Sequence, residues 1–213
     1  MLTEQGVMTT EVIFNDYKTE RYLLRKIWDE DKPLASLIMT NPSSANAVTI
    51  DMTVHYSISN LYKLGYGGVD ILNMTSNISP KIDTKNDISL TATNVEHILK
   101  SAEKSDKVII AWGKIGENVK KIKQVQLQLL DKLKPFQDKM YMIASKSGES
   151  AFHPLAPQIR FDWVLKKFVM PDYLNAVTAD RPENQAQSKP DEILEGEPGK
   201  TAKDKKSRNI QST

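Results

Sequence analysis

Apolar residues recur along this chain in two rhythms, and the switching between them is its main organising signal. Short continuous runs, Leu37-Ile38-Met39, Val69 with Ile71-Leu72, Val108-Ile109-Ile110-Ala111 and Met140-Tyr141-Met142-Ile143, have the length and density of strands covered on both faces. They predict strands over residues 34–40, 69–73, 107–112 and 139–144. Between them the spacing becomes helical: Val54, Ile58, Leu61 and Leu64 predict a helix over 53–64, and Leu90, Val95, Ile98 and Leu99 one over 89–102. Ile115, Val119, Ile122, Val125, Leu129 and Leu133 form a single stripe that predicts a third, with Lys114, Lys120, Lys121, Lys123 and Lys132 mostly off it. Gly65-Tyr66-Gly67-Gly68 ends the first helix and Pro135 the third. A last helix is expected over 158–168. Ahead of all these, residues 12–14 and 22–28, separated by Asn15-Asp16-Tyr17-Lys18, read as an N-terminal hairpin.

Strands alternating with helices of this length imply a parallel sheet with crossover helices. The expected fold is therefore α/β: a three-layer α/β/α sandwich around a central four-stranded, mainly parallel sheet. One domain is expected over 11–175, preceded by a flexible N-terminus over 1–10. From Ala176 onward the chain has no aromatic residue and is rich in Pro, Gly, Gln, Lys and Glu, a mix that buries too little surface to offset ordering entropy. A disordered polar tail over 176–213 is expected, with Lys203, Lys205, Lys206 and Arg208 as its cluster for a protein partner or for phosphates.

The chemistry narrows by what is missing. The 213 residues contain no cysteine, so thiolate metal sites and thiol nucleophiles are excluded. The three histidines, His55, His97 and His153, lack metal-ligand spacing, and no metal is expected. No cofactor is expected either: Gly65 to Gly68 precedes a strand instead of opening a helix after one, so no phosphate-cradling fingerprint is present. No run approaches the length of a membrane span, and residues 1–10 lack a basic-then-apolar leader pattern. The expected setting is a soluble cytoplasmic protein with no membrane contact. A formal net charge of +2 is too small to identify a partner.

Each expected strand runs into a polar signature: Asn41-Pro42-Ser43 after the first, Asn73 after the second, Trp112-Gly113 after the third, and His153-Pro154 beyond the fourth. Each has an ordinary structural explanation: a helix cap with proline at its first turn, a turn asparagine, a packed tryptophan, a loop dipeptide. Parallel strands bring their carboxyl ends together, where open α/β sheets bind ligands. Two side-chain amides, an indole and an imidazole gathered there suit a planar, hydrogen-bonding ligand.

The string Met39-Thr40-Asn41-Pro42-Ser43-Ser44-Ala45, with Gly65-Tyr66-Gly67-Gly68, Asn73, Asn94, Ala111-Trp112-Gly113 and His153-Pro154-Leu155, resembles the bacterial and phage domain-of-unknown-function family numbered 1643. The order of an Asn-Pro, a Leu-Asn, a Trp-Gly and a late His-Pro is also similar, at a greater distance, to the uracil-DNA glycosylase superfamily. That second resemblance implies a glycosylase-like fold and a catalytic pair, Asn41 orienting water and His153 donating to the departing base. It further implies Asn73 as the reader of the base edge, with Pro42, Ser43, Trp112 and Gly113 around the base. Ser44, Lys146 and Ser147 are the expected phosphate contacts; the third-helix lysines, Lys114 among them, with Lys146, Arg160, Lys166 and Lys167, read either as a track for a phosphate backbone or as a solvated face. DNA or a nucleotide is the expected partner. Two positions depart from that pattern: Thr40, where glycine or glutamine is usual, and Leu155, where serine usually follows His-Pro. Other readings stay open: a non-catalytic nucleic-acid, nucleotide or protein-binding module, an enzyme on free nucleotides, or a carboxylate hydrolase using Asp51, Asp83 or Asp87.

Overall fold

A computed structural model describes residues 1–79 and 88–172. Asp83, Asp87 and the expected tail at 176–213 lie outside the described residues. The order is β1 (Thr9–Phe14), β2 (Arg21–Ile27), β3 (Leu34–Met39), α1 (Met52–Lys63), β4 (Gly68–Asn73), α2 (Ala92–Lys104), β5 (Lys107–Ile110), α3 (Ile115–Asn118), α4 (Lys120–Leu133), a 3-10 segment (Lys134–Lys139), β6 (Met140–Ala144) and β7 (Val164–Lys167). Among the described residues, no helix is long and apolar enough to cross a membrane.

The strands form one seven-stranded mixed sheet, ordered β1-β2-β4-β3-β5-β6-β7. Its centre, β4-β3-β5-β6, is parallel throughout. The expectation of a four-stranded sheet is corrected at both edges: the β1–β2 hairpin adds antiparallel to β4, and β7 adds antiparallel to β6. Strand periodicity sorts the core into two clusters. Ile38, Leu72, Val108 and Ile110 pack with Ile98 and Ala102 of α2 and with Ile122, Val125 and Leu129 of α4. Their neighbours in sequence, Leu37, Met39, Ile71 and Ile109, pack with Val54 and Leu61 of α1. Side chains alternate faces along a strand, so each central strand feeds both clusters.

Two expected helices are corrected. The stripe from Ile115 to Leu133 breaks at Val119, whose extended backbone (φ −128°, ψ 102°) separates α3 from α4. Gly116 backs directly onto Gln126, where a Cβ would lie 1.9 Å from the Gln126 Oε1. In one continuous helix those residues would be about 15 Å apart along the axis, so α3 has to fold back. The second correction is residues 158–168. Single turns bonded Ala156 N–H to His153 carbonyl, Ile159 N–H to Ala156 carbonyl and Asp162 N–H to Ile159 carbonyl lead into β7 instead of a helix. Pairing of β7 from Ala144↔Val164 to Tyr141↔Lys167 covers the open edge of β6. The Lys107 and Lys167 ammonium groups then lie 4.4 Å and 5.1 Å from the Tyr141 ring centre.

Candidate functional site

Strands β3 and β5 are parallel neighbours, with Ile38 opposite Ile110, so the segments leaving them emerge side by side at the carboxyl edge. Thr40 Oγ1 donates to the Trp112 carbonyl at 3.3 Å and ties the two exits together. The segment beyond β6 brings His153 to the same place. Thr40, Asn41, Trp112, Gly113, Lys114, Ile115 and His153 line one cavity of about 550 Å³.

Asn41 and the Pro42 that follows it are both tied to Ser79. Its Nδ2 donates to the Ser79 carbonyl at 2.7 Å, while the Ser79 N–H donates to the Pro42 carbonyl at 3.1 Å. With Nδ2 engaged, the amide oxygen is the acceptor left for a water or a ligand N–H.

His153 is fixed through its other ring nitrogen. The Leu155 N–H donates to Nδ1 at 3.2 Å, and a nitrogen that accepts carries no proton, so the neutral ring has its N–H at Nε2. Burial pushes its pKa below the ordinary 6.5, opposed by the pull of the Asp51 carboxylate, and the ring is therefore neutral at pH 7. Gly113 seats this residue: its φ is +69°, and a Cβ there would lie 3.2 Å from the His153 Cβ and 3.5 Å from its backbone nitrogen.

Beneath the Asn41 loop lies Arg21, 2% exposed. Its Nη1 donates to the carbonyls of Ala45 (2.7 Å) and Ser43 (3.4 Å), and its Nη2 to Asn73 Oδ1 (3.4 Å). Burial lowers its pKa to about 10, again against the Asp51 carboxylate. Lys26 Nζ reaches the next stretch of the loop at the Ala47 carbonyl, 3.1 Å away. Two cations thus pin alternate carbonyls, at Ser43, Ala45 and Ala47, of the segment between β3 and α1.

The expected site residues separate accordingly. Asn41, Trp112, Gly113 and His153 share the cavity. Asn73 is 1% exposed, its oxygen bonded to Arg21 and its carbonyl accepting from Asn94 Nδ2 at 2.9 Å, so it lies behind the cavity lining. Pro42 is buried, and Ser43 uses its carbonyl on Arg21 and its Oγ on the Ala45 N–H at 3.4 Å. Ser44 is exposed outside the lining. Ser147 shares a 2.7 Å hydroxyl contact with Ser145 in the turn after β6, and Lys146 is ion-paired to Asp162. Asp51 caps α1, its Oδ1 accepting from the Val54 N–H at 2.8 Å. Sequence reasoning grouped Lys114 with the third-helix lysines as a face for a phosphate backbone and did not place it in the cavity, although it directly follows Trp112-Gly113; it missed Arg21, which carries no local signal. Among the described residues, no group of three or more His, Asp or Glu side chains is arranged to hold a metal ion.

Neither the curated proteins nor the solved structures contain a match to this chain. A family described as protein of unknown function, DUF1643, matches residues 21–155, which include every residue of the cavity.

Proposed function

The chain belongs to the DUF1643 family, and from that premise we propose that it binds a nucleobase at the carboxyl ends of β3 and β5 and hydrolyses the N-glycosidic bond of an uracil-like or modified base. The observation that carries this reading is the imidazole of His153: a half-buried ring, neutral at pH 7, whose Nδ1 is occupied by Leu155 and whose Nε2–H remains to donate within the cavity that also holds Asn41. Cleaving an N-glycosidic bond places negative charge on the departing base and positive charge on the sugar. A fixed donor aimed at the base stabilises the first. An acceptor that orients water beside the second is supplied by the Asn41 oxygen, whose amide is anchored through Ser79. Asparagine does not accept the water's proton, so the bond must be largely broken before water attacks, and turnover is slow. Trp112 supplies the flat apolar wall that a base requires. Helices packed against both sides of the sheet are in keeping with a three-layer, glycosylase-like sandwich, and a cysteine-free chain suits the reducing cytoplasm.

The test is mass spectrometry of bases released from DNAs carrying uracil, other deaminated bases and hypermodified bases. One base is expected to be released by the native chain, with His153→Ala slower by about 10²–10³-fold, the effect of deleting one preorganised donor. Asn41→Ala should also lose activity. A second reading, a binding module or an enzyme acting on free nucleotides, is favoured by one observation: among the described residues, the cavity lining contains no carboxylate. Saturable binding of a base or nucleotide with no base released from any DNA would select it.

A further inference from the structure

Among the described residues, the titratable side chains lining the cavity are Lys114 and His153, and both are bases. Lys114 is exposed at its mouth, immediately after the Gly113 turn, and makes no ion pair with a described carboxylate. Its backbone is fixed: its carbonyl accepts from the Glu117 N–H at 3.0 Å. Trp112, Gly113 and Lys114 therefore present an apolar wall, a turn against His153 and an ammonium group in three consecutive residues. Other exposed lysines, Lys120, Lys121 and Lys123 of α4, likewise make no ion pair with a described carboxylate; Lys114 differs from them in lining the cavity. Lys114 thus sets a cation at the mouth of a cavity whose described lining holds no carboxylate, so an anionic group on a ligand meets an ammonium there and no repelling charge in that lining.

We propose that Lys114 is the phosphate-binding residue of this cavity, so that the ligand is a base joined to a sugar phosphate and not a free base. The assignment rests on the base-binding reading above. It moves phosphate recognition from Ser44, Lys146 and Ser147, which lie outside the lining, to a residue within it. Lysine serves phosphate as a compact point charge, which an ammonium at a cavity mouth can deliver without the bidentate geometry of arginine. The resulting order places the base against Trp112 and His153, the sugar over Asn41 and Thr40, and the phosphate outward at Lys114.

The test compares the native chain with Lys114→Ala and Lys114→Arg, and with Lys120→Ala as an exposed-lysine control, by calorimetric titration at low and high salt. The ligands are deoxyuridine and the four common deoxynucleosides, their 3′- and 5′-monophosphates, and a short single-stranded oligonucleotide. A phosphorylated ligand should bind the native chain about tenfold or more tightly than its nucleoside, the contribution of one charge-assisted hydrogen bond. That advantage should vanish in Lys114→Ala, return in Lys114→Arg, shrink at high salt and be untouched in Lys120→Ala. A gain with monophosphates identifies free nucleotides as the source of the phosphate, and a gain with the oligonucleotide alone identifies a strand. Equal affinity for nucleoside and nucleotide, or a phosphate advantage that survives Lys114→Ala, overturns the assignment while leaving base binding standing. No binding of any base-bearing ligand overturns both.

Discussion

Gly113 leaves the space that His153 fills: at φ +69°, a Cβ on Gly113 would lie only 3.2 Å from the His153 Cβ. Any side chain at 113 meets two obstacles, a left-handed backbone and an occupied neighbour. Gly113→Ala should lower stability by about 1–2 kcal/mol through the backbone alone and displace the imidazole as well. Thermal unfolding reads the first effect, and a changed chemical shift of the His153 ring protons reads the second. An unchanged ring environment would show that the contact is not what seats the histidine.

The lowered pKa of His153 makes a pH prediction with a definite sign. Burial depresses the folded value below the ordinary 6.5, so in the window between the two the unfolded chain binds more protons than the folded one. Stability should therefore rise with pH through that window and fall as the solution is acidified below 6.5. Comparing melting temperatures from pH 4 to 8 for the native chain and His153→Gln isolates this contribution, because the variant lacks the titration. Parallel curves would mean that the imidazole titrates alike in both states.

Arg21 joins the Asn41 loop to the end of β4, and its removal should loosen both. Arg21→Met relieves the cost of burying a charge, but it leaves the Ser43 and Ala45 carbonyls and the Asn73 oxygen without their donor. Each orphaned buried acceptor costs about 1–3 kcal/mol, so loss should outweigh relief by about 2 kcal/mol. For a domain of this size that corresponds to a melting temperature lower by about 4–8 °C. Faster hydrogen exchange at residues 43–49 is expected with it, and an unchanged exchange pattern would contradict the strapping role.

Asp70 provides a control that touches the core and not the cavity. Its fully buried carboxylate takes two bonds of 2.7 Å from Arg25 and one of 2.7 Å from Ser101, whose hydroxyl meets that of Ser36 at 2.6 Å. Asp70→Ala leaves Arg25 with Glu11 as its remaining partner and takes from the Ser101 hydroxyl its carboxylate acceptor; it should cost about 3 kcal/mol, at the low end for a broken buried pair because Arg25 is partly exposed. Ligand affinity at a temperature where the variant is folded should equal that of the native chain. A loss of affinity there would show that the network extends to the cavity.

The order of strands and helices up to β6 was legible in the sequence because burial on both faces imposes continuous apolar runs, and burial on one face imposes helical spacing. From that order it also followed that Asn41, Trp112 and His153 lie near one another, since parallel strands end on a common edge. Three things needed the tertiary structure. Residues 164–167 pair as β7 because the open edge of β6 offers backbone partners, an interaction that no local pattern records. The stripe from Ile115 to Leu133 reads as one helix, and only the contact between Gly116 and Gln126 folds α3 back at Val119. The third is the layout of the site itself: Asn73 and Lys114 both follow strand-end signals, yet one is drawn behind the cavity by Arg21, from a strand paired beside it, and the other is left at the mouth. Apolar periodicity reports which face of an element is covered; which polar side chain faces the ligand depends on the partner that reaches it first from elsewhere in the chain.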